Sequence, residues 1–192
     1  SVGKSTFLSK VTKAKPKIAD YHFTTLSPNL GVCKTLDGRS FVIADLPGLI
    51  EGASEGIGLG DKFLRHIERT KVIAHIIDMS GIEGRNPIDD FNTINEELQK
   101  FSQKLVEKPM VIIANKMDMP NSKENLKAFK KEVGLPVYEI SAINSQGLED
   151  VLIKIANVLD TVEDAPLYED TEYLSHVLYK FEKEEPYTIE KK

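Results

Sequence analysis

The chain has 192 residues, enough for one domain with a hydrophobic core plus an extension, and its 41% hydrophobic and 29% charged residues are typical of an ordinary soluble globular protein. Its formal net charge of −5 argues against a domain that itself clamps nucleic acid, because phosphate binding needs a basic face. The single cysteine, Cys33, excludes an internal disulfide. The sequence has no signal-peptide pattern and no apolar run of roughly 18 to 20 residues. We therefore expect a cytoplasmic protein without a membrane span.

In chain order, apolar runs rich in β-forming residues alternate with helical patterns. The predicted strands are Leu30–Leu36, Ser40–Ala44, Val72–Asp78, Met110–Ala114 and Val137–Ile140. Asp37-Gly38, between the first two strands, is typical of a hairpin turn. Residues 72–77 and 110–114 are apolar almost without interruption, which predicts strands that are covered on both faces.

Apolar residues at three- and four-residue spacing predict helices that separate these strands. One stripe consists of Phe91, Ile94, Leu98, Phe101 and Leu105, and another of Leu148, Val151, Leu152, Ile155 and Leu159. This alternation predicts an α/β fold, a mostly parallel, doubly wound sheet with helices on both faces. Residues 164–192 are acidic, contain Pro166 and Pro186 and lack this rhythm, so we interpret 1–162 as the domain and 163–192 as a linker toward a C-terminal domain.

The first six residues, Ser1-Val2-Gly3-Lys4-Ser5-Thr6, contain the closing half of a P-loop, G-x-x-x-x-G-K-[ST]. Gly3 allows the backbone to pass close to a phosphate without a Cβ clash. Lys4 places an ammonium group on the β- and γ-phosphates, and Ser5 offers a hydroxyl to Mg²⁺ at a helix N-terminus, which attracts anions. Taken alone, Gly3-Lys4-Ser5 fits a plain helix start equally well.

The opening glycine of the P-loop and the strand that should precede it are absent from the sequence. In a doubly wound sheet that strand lies in the middle, so its omission would remove core residues and expose two unpaired strand edges. We therefore expect either that the natural chain continues upstream of Ser1 or that these residues are missing from the sequence.

Two further segments fit the phosphate and metal side of such a site. Strand Ser40–Ala44 ends in Asp45, and an acidic residue at the C-terminal end of such a strand holds Mg²⁺, often through water. In Leu46-Pro47-Gly48, which follows, the glycine N–H can reach the γ-phosphate, although a polar turn is the alternative interpretation. A threonine of Thr24-Thr25 can give Mg²⁺ a hydroxyl and the γ-phosphate an N–H group, which would make its segment a sensor of the nucleotide state.

The tetrad Asn115-Lys116-Met117-Asp118 matches the N-K-x-D pattern and is the most specific signal in the sequence. A carboxylate at Asp118 can accept the N1–H and N2–H groups of guanine, a donor pair that adenine lacks. Lys116 can lay its aliphatic stem along the plane of the base. Ser141-Ala142 follows the next strand, where the Ala142 N–H can reach the guanine carbonyl oxygen. Together these segments predict GTP and GDP as the ligands.

Longer strings of residues resemble one family, the Obg GTPases. The similarity to its switch I region is carried by Tyr21-His22-Phe23-Thr24-Thr25-Leu26 with Pro28-Asn29-Leu30-Gly31, and it continues in Asp45-Leu46-Pro47-Gly48-Leu49-Ile50-Glu51-Gly52-Ala53. The run from Gly56 to Gly60 and from Phe63 to Thr70 is similar to switch II and the following helix of the family. The resemblance covers residues 1–162 and implies a P-loop NTPase G domain.

The resemblance also implies the residues of the nucleotide site. The nucleotide-binding residues would be Ser1, Val2, Gly3, Lys4, Ser5, Thr6, Phe23, Thr24, Thr25, Leu26, Asp45, Leu46, Pro47, Gly48, Asn115, Lys116, Met117, Asp118, Ser141, Ala142 and Ile143. Mg²⁺ would be bound by Ser5, Thr25 and Asp45, with Thr25 favoured over Thr24 by its alignment with the family. Lys4, Thr25 and Gly48 would act in catalysis.

Obg proteins are bacterial-type, largely cytoplasmic GTPases that associate with the large ribosomal subunit and act in its assembly and in stress responses. They have a glycine-rich N-terminal domain and often a small C-terminal domain, and the missing front and Tyr168–Lys192 fit such a three-part chain. The resemblance thus implies a Mg²⁺-dependent GTPase that hydrolyses GTP slowly, acts as a molecular switch, is a monomer and has the large ribosomal subunit as its partner.

At two positions the sequence departs from the motifs of related GTP-binding proteins. Leu49 follows Gly48, where Ras-like proteins have a water-orienting glutamine, and a leucine cannot orient water. Ser1 stands where some relatives have a K⁺-binding asparagine, which argues against K⁺ dependence. We expect the mobile switch segments to extend from about Ala19 to Leu30 and from Leu49 to Gly60, because the second has four glycines and little to bury.

Three functions remain as alternatives. The chain would be a GTP-hydrolysing enzyme, a nucleotide-gated binding module of the ribosome in which hydrolysis is only a slow timer, or an ATPase, against which Asp118 argues. We interpret the glycines at 56, 58 and 60 as a flexible switch rather than a dinucleotide site. His75 is predicted to be a core histidine and His66 to lie on a solvated helix face.

Overall fold

The structure is a computed structural model, and it describes residues 2–12, 17–18, 29–45, 70–82, 84–101 and 103–163. The strands are β1 (Lys17–Ile18), β2 (Asn29–Lys34), β3 (Ser40–Asp45), β4 (Ile73–Asp78), β5 (Met110–Asn115) and β6 (Val137–Glu139). The helices are α1 (Lys4–Val11), α2 (Pro87–Phe101), α3 (Gln103–Val106), α4 (Ser122–Val133) and α5 (Leu148–Thr161). None of these helices has both the length and the apolar character that crossing a membrane requires.

All described residues except Glu163 belong to one unit, Ser1–Val162. The boundary that we predict at residue 162 stays a prediction, because residues 164–192 lie outside the described part of the chain.

The five predicted strands are confirmed, with ends that shift by one or two residues. The clearest shift is in β2, which we predicted to reach Leu36 and which ends at Lys34 because the hairpin turn begins there. The Thr35 N–H donates to the Arg39 carbonyl at 2.9 Å, and Gly38 has a φ of 91°. This left-handed conformation favours glycine, so the predicted hairpin turn at Asp37-Gly38 is confirmed.

The described strands form two sheets of three, in the orders β1-β2-β3 and β4-β5-β6. The first sheet is antiparallel, because a tight hairpin turn reverses the chain, and the second is parallel, because its strands are joined through helices. The parallel part of the predicted α/β sheet is therefore confirmed. In the described residues it does not continue into β3, since β3 and β4 end their sheets without pairing with each other.

A cavity of about 930 Å³ lies between β3 and β4 and is lined by residues of both strands. The expectation of one more central strand stays a prediction.

Helices cover both faces of the parallel sheet, and the side chains of β5 alternate between them. Val111 and Ile113 pack with residues of α1 and α5 in one buried cluster. Ile112 and Ala114 pack with residues of α2 and α4 in the other. All four side chains are at most 2% exposed, which confirms for β5 the prediction of a strand covered on both faces. For residues 72–77 the same prediction is wrong in the described structure, because Ala74 of β4 is exposed.

Both predicted apolar stripes contain buried residues. In the first stripe, which α2 and α3 share, the buried residues are Phe91, Leu98 and Leu105, and in the second they are Leu148, Val151, Leu152 and Ile155. Burial of one face is what the three- and four-residue spacing predicts for both helices.

His75 on β4 is the core histidine that the sequence predicts. Its side chain is buried, and its ring stacks on that of Phe91 with 5.5 Å between the ring centroids. Burial lowers the pKa of His75 to about 4, so the imidazole is neutral at physiological pH. His66 lies outside the described residues.

Candidate functional site

Three segments that are distant in sequence meet at the carboxyl end of β5, and the Asn115 side chain joins them. Its Nδ2 group donates to the Val2 carbonyl at 2.9 Å, and its Oδ1 atom accepts the Ala142 N–H at 3.0 Å. Asn115 is 2% exposed, and these two bonds satisfy both ends of a buried amide. One side chain therefore holds together the end of the P-loop, the N-K-x-D tetrad and the Ser141-Ala142 pair.

Gly3 is required in this junction by its conformation and by its surroundings. Its φ is 89°, a left-handed value that side chains disfavour, and an added Cβ would lie 2.4 Å from the Asn115 Nδ2 atom. The sequence explains Gly3 by a close approach to phosphate. The structure adds a second reason, since Asn115 already fills the space that a side chain would need.

The start of α1 lies beside the end of β3. The first turn of α1 presents Ser5 and Thr6 to solvent, and the first N–H groups of a helix have no acceptor within the helix. The Lys4 Nζ atom lies 4.0 Å from Oδ1 of Asp45, whose side chain is 12% exposed. A cation, a helix N-terminus and a carboxylate thus lie close together, as a site for phosphates and a metal requires.

Lys116 adopts a φ of 65°, which is uncommon for a residue with a side chain. Its Nζ atom lies 2.5 Å from Oδ2 of Asp78, the last residue of β4. Ser80 donates to the other oxygen, Oδ1, from its N–H at 2.8 Å and from its Oγ at 2.6 Å. Burial raises the pKa of Asp78, but the hydrogen bonds from Lys116 and Ser80 outweigh burial and hold the pKa below its usual value. Asp78 is therefore an anion.

The exposed carboxylate of Asp118 is oriented by a short loop that follows β6. The Ser141 Oγ group donates to Oδ1 of Asp118 at 2.6 Å. The Ser141 backbone pairs in both directions with Gln146, at 3.0 and 3.1 Å. Since the loop is closed by these bonds, the direction of the carboxylate is set before any ligand binds.

The Ala142 N–H makes a different contact from the one predicted for it. It donates to Oδ1 of Asn115 in a buried place, so it is engaged within the protein. A role for this group in binding the guanine carbonyl stays a prediction, and it requires that the bond to Asn115 be shared or exchanged. Ile143, the next residue, is 69% exposed beside the loop.

Residues 1–116 match the protein family described as 50S ribosome-binding GTPase. The chain belongs to this family. It is also similar to curated proteins named GTPase Obg. The one from Bacillus licheniformis is 61% identical over 98% of this chain and 45% of that protein. The one from Oceanobacillus iheyensis is 61% identical over 96% of this chain and 44% of that protein. The predicted resemblance to the Obg family is confirmed, and the chain spans less than half the length of these relatives.

Solved structures of GTPases share the fold. The G domain of the FeoB iron transporter from T. maritima matches 83% of this chain and 92% of that chain with a TM-score of 0.61, at 22% identity. Nucleolar GTP-binding protein 1 from Plasmodium falciparum matches 83% of this chain and 81% of that chain with a TM-score of 0.56, at 25% identity. The predicted P-loop G-domain fold is therefore confirmed.

Some residues of the nucleotide site that the family resemblance implies lie outside the described residues. The predicted site residues that lie there are Ser1, Phe23, Thr24, Thr25, Leu26, Leu46, Pro47 and Gly48. Their roles stay predictions, as does the mobility of the two switch segments. Of the predicted residues that the structure describes, Lys4 is near Asp45, and the tetrad contacts both the P-loop end and the loop after β6.

Sequence reasoning did not single out Asp78, which contacts Lys116 of the candidate site, or Ser80, which contacts Asp78. Asp78 ends a strand, and an acidic residue at the end of a strand is the same signal that led us to Asp45. The sequence does not reveal its partner, because the contact with Lys116 depends on the register between β4 and β5, in which Asp78 lies opposite Asn115.

Proposed function

We propose that this chain binds GTP and GDP and hydrolyses GTP slowly in the presence of Mg²⁺, as a molecular switch. The Asn115 junction carries the proposal. It joins the end of the P-loop to the base-recognition tetrad and to the loop after β6 through two hydrogen bonds of a buried side chain. A phosphate-binding element and a base-binding element held in one place support a composite nucleotide site rather than a chance occurrence of short motifs.

Asp118 and Lys116 serve base recognition in this proposal. The Asp118 carboxylate, oriented by Ser141, accepts the two neighbouring N–H groups of guanine. Adenine has no matching pair of donors, and a carboxylate that is covered without donors is strongly disfavoured. The stem of Lys116 packs along one face of the base.

Lys4 and the first turn of α1 serve the phosphates. The ammonium group and the N–H groups of the helix start bind phosphate oxygens. Ser5 and Asp45 fit Mg²⁺ by their chemistry, since both offer hard oxygen ligands, and Thr25 completes the set by resemblance. Bound Mg²⁺ supplies positive charge against the phosphates.

Hydrolysis is slow in this proposal because the residue beside Gly48 has an apolar side chain, which cannot orient water. Lys4 stabilises the charge that develops on the transferred phosphoryl group. Leu49 stands where a glutamine would orient the attacking water, so a backbone group, a distant residue or a partner must do so.

Calorimetric titration of the chain with GDP and with ADP, at the same Mg²⁺ concentration, tests the proposal. We expect GDP to bind at least about 100-fold more tightly, as a site whose carboxylate must be paired discriminates. Comparable affinities for the two nucleotides would contradict it.

We further propose the large ribosomal subunit as the partner, in its assembly and in stress responses. The description of the matched family and the similarity to Obg support this. Single-turnover GTP hydrolysis with and without ribosomal subunits separates the enzyme from the binding module. Acceleration by the subunit supports an activated enzyme, whereas GTP-dependent binding at an unchanged rate supports a nucleotide-gated module. A cytoplasmic location and a monomeric state stay predictions.

A further inference from the structure

Asp78 is absent from the predicted set of nucleotide-site residues, yet it is the ion-pair partner of one of them. It lies at the end of β4, directly opposite Asn115 in the parallel register, and Lys116 follows Asn115 along the chain. The Lys116 Nζ atom reaches back over the strand ends to Oδ2 of Asp78 at 2.5 Å. The Asp78 side chain is 14% exposed and the Lys116 side chain is 29% exposed, so solvent screens this ion pair less than it screens a surface pair.

Each oxygen of the Asp78 carboxylate has its own partner. The Ser80 N–H and Oγ groups both donate to Oδ1, which fixes the rotation of the carboxylate. Oδ2 is thereby aimed at Lys116 alone among the described contacts. Ser80 is buried, so this support is part of the packed strand end rather than of the surface.

The backbone of Lys116 is held in a conformation that needs such support. A left-handed φ of 65° is unfavourable for lysine and persists only where the surroundings impose it. Asn115 fixes the preceding residue through its two side-chain bonds. The Met117 N–H, which donates to the Ile140 carbonyl at 3.1 Å, fixes the following one. The backbone therefore sets where the lysine side chain starts, and Asp78 sets where it ends.

We propose that Asp78 is a positioning residue for guanine-nucleotide binding. By holding the ammonium group of Lys116, it keeps the aliphatic stem of that lysine extended along the face of the base. A free lysine stem must lose rotamer freedom when a nucleotide binds, and the ion pair removes that loss beforehand. Asp78 acts through Lys116 and does not touch the nucleotide. The inference rests on the proposed guanine-nucleotide site.

The test is a double-mutant cycle on GDP binding with the substitutions Asp78→Asn and Lys116→Met. Asparagine keeps the size of the side chain and can still accept from Ser80, but its amide cannot pair with an ammonium group. Methionine keeps an apolar stem without the charge. We expect Asp78→Asn to weaken GDP binding about 5- to 10-fold, mainly through faster dissociation of a fluorescent GDP analogue. In the Lys116→Met background the same substitution should change the affinity by less than about twofold.

A merely structural brace between β4 and β5 predicts the opposite pattern. In that case Asp78→Asn would lower the affinity for GDP by the same factor with and without Lys116, and it would also lower the melting temperature. That result would overturn the positioning role. Asp89→Asn is the matched control, because it removes the same charge from an exposed position on α2. If Asp78→Asn does not fold, Ser80→Ala takes its place in the cycle, with a smaller loss expected only when Lys116 is present.

Failure of the inference and failure of the proposed function are distinguishable. If the unmodified chain binds GDP tightly and Asp78→Asn binds it equally well, only the positioning role of Asp78 is wrong. If the unmodified chain binds neither GDP nor GTP, the proposed nucleotide site itself is wrong.

Discussion

The two sheets differ in how thoroughly they are buried, and each provides a different part of the candidate site. In the parallel sheet, five consecutive residues of β5 are buried between helices on both faces. In the antiparallel sheet of β1, β2 and β3, Val32 of β2 is 53% exposed and Val42 of β3 is 62% exposed. The residues proposed for base recognition, Lys116, Asp118 and Ala142, follow β5 and β6, whereas the metal-binding candidate Asp45 ends β3.

This difference indicates that the proposed base site is preformed and that the proposed phosphate and metal side depends on what joins the two sheets. The Asp118 carboxylate is already oriented by Ser141, and Lys116 is already paired with Asp78. On the other side, the described link between Asp45 and the P-loop is a contact of 4.0 Å with Lys4. A ligand that bridges Lys4, Asp45 and the base site would therefore fasten one sheet to the other.

The largest expected effect compares the same substitution at two glycines, Gly3 at the junction and Gly38 in the hairpin. Both have a left-handed φ, of 89° and 91°, but a Cβ at Gly3 collides with Asn115 whereas one at Gly38 meets nothing within 4 Å. We expect Gly3→Ala to lower the free energy of unfolding by about 3 kcal/mol, from backbone strain plus overpacking. Gly38→Ala should cost about 1 kcal/mol, from strain alone. Urea denaturation measures both.

Equal losses at Gly3 and Gly38 would show that the Asn115 junction yields to a methyl group. The residues around Asn115 would then be no more rigid than the hairpin between β2 and β3.

Asp118→Asn tests the preformed base site directly. The new amide places a donor where guanine also has donors, so GDP binding should weaken about 100-fold, or by about 2.7 kcal/mol. Xanthine has a carbonyl oxygen at that position, which can accept from the amide, so xanthosine diphosphate should bind better than GDP. Competition titration with the two nucleotides measures the change. Unchanged preference for GDP would show that Asp118 does not contact the base.

The pH dependence of stability should come from the parallel sheet, because His75 is buried there. Its folded pKa of about 4 lies below the unfolded value of 6.5, so protons bind the unfolded chain first and stability is lost as pH falls below 6.5. Between pH 7.5 and pH 5.0 this loss should amount to about 2 kcal/mol. Denaturation of the unmodified chain and of His75→Leu at both pH values isolates it. A variant that loses as much stability as the unmodified chain would exclude His75 as the cause.

The smallest expected effect concerns the rate of hydrolysis. We expect an intrinsic rate on the order of 10⁻⁴ to 10⁻² s⁻¹, and Leu49→Ala should change it only a few-fold, since an apolar side chain cannot orient water. Lys4→Ala is the reference with a large effect, because it should abolish productive binding of GTP. A loss of more than about 100-fold in single-turnover rate on Leu49→Ala, or roughly 2.7 kcal/mol of barrier, would make Leu49 a positioning residue.

Local patterns in the sequence predicted much of this fold. Apolar runs predicted β4 and β5, spacing predicted the buried faces of α2 and α5, and Asp37-Gly38 predicted the hairpin. These features depend on neighbours in the chain. Local patterns did not show that β3 and β4 are the strands that lie unpaired with each other in the described residues, because this depends on the order of the strands in the sheets.

The residues of the candidate site were predictable from the sequence to the same extent as the fold. The motifs placed Lys4, Asp45, Asn115 and Asp118 in one region, since strand ends of a doubly wound sheet lie along one edge. The sequence could not show that the Ala142 N–H is engaged by Asn115, because that bond joins residues 27 positions apart across a strand and a helix. For the same reason it could not pair Asp78 with Lys116, which are 38 positions apart.

The Asn115 junction also sets the order in which the site can form during synthesis. The bond from Asn115 to Val2 spans 113 positions, and the bond to Ala142 spans another 27. At about 5 to 20 residues per second, the P-loop end waits roughly 5 to 20 s on the ribosome before Asn115 is made, and longer before Ala142 follows. A nascent chain therefore carries Val2 for this time before its bond to Asn115 can form, and the proposed guanine-nucleotide site can assemble only after Ala142 has been made.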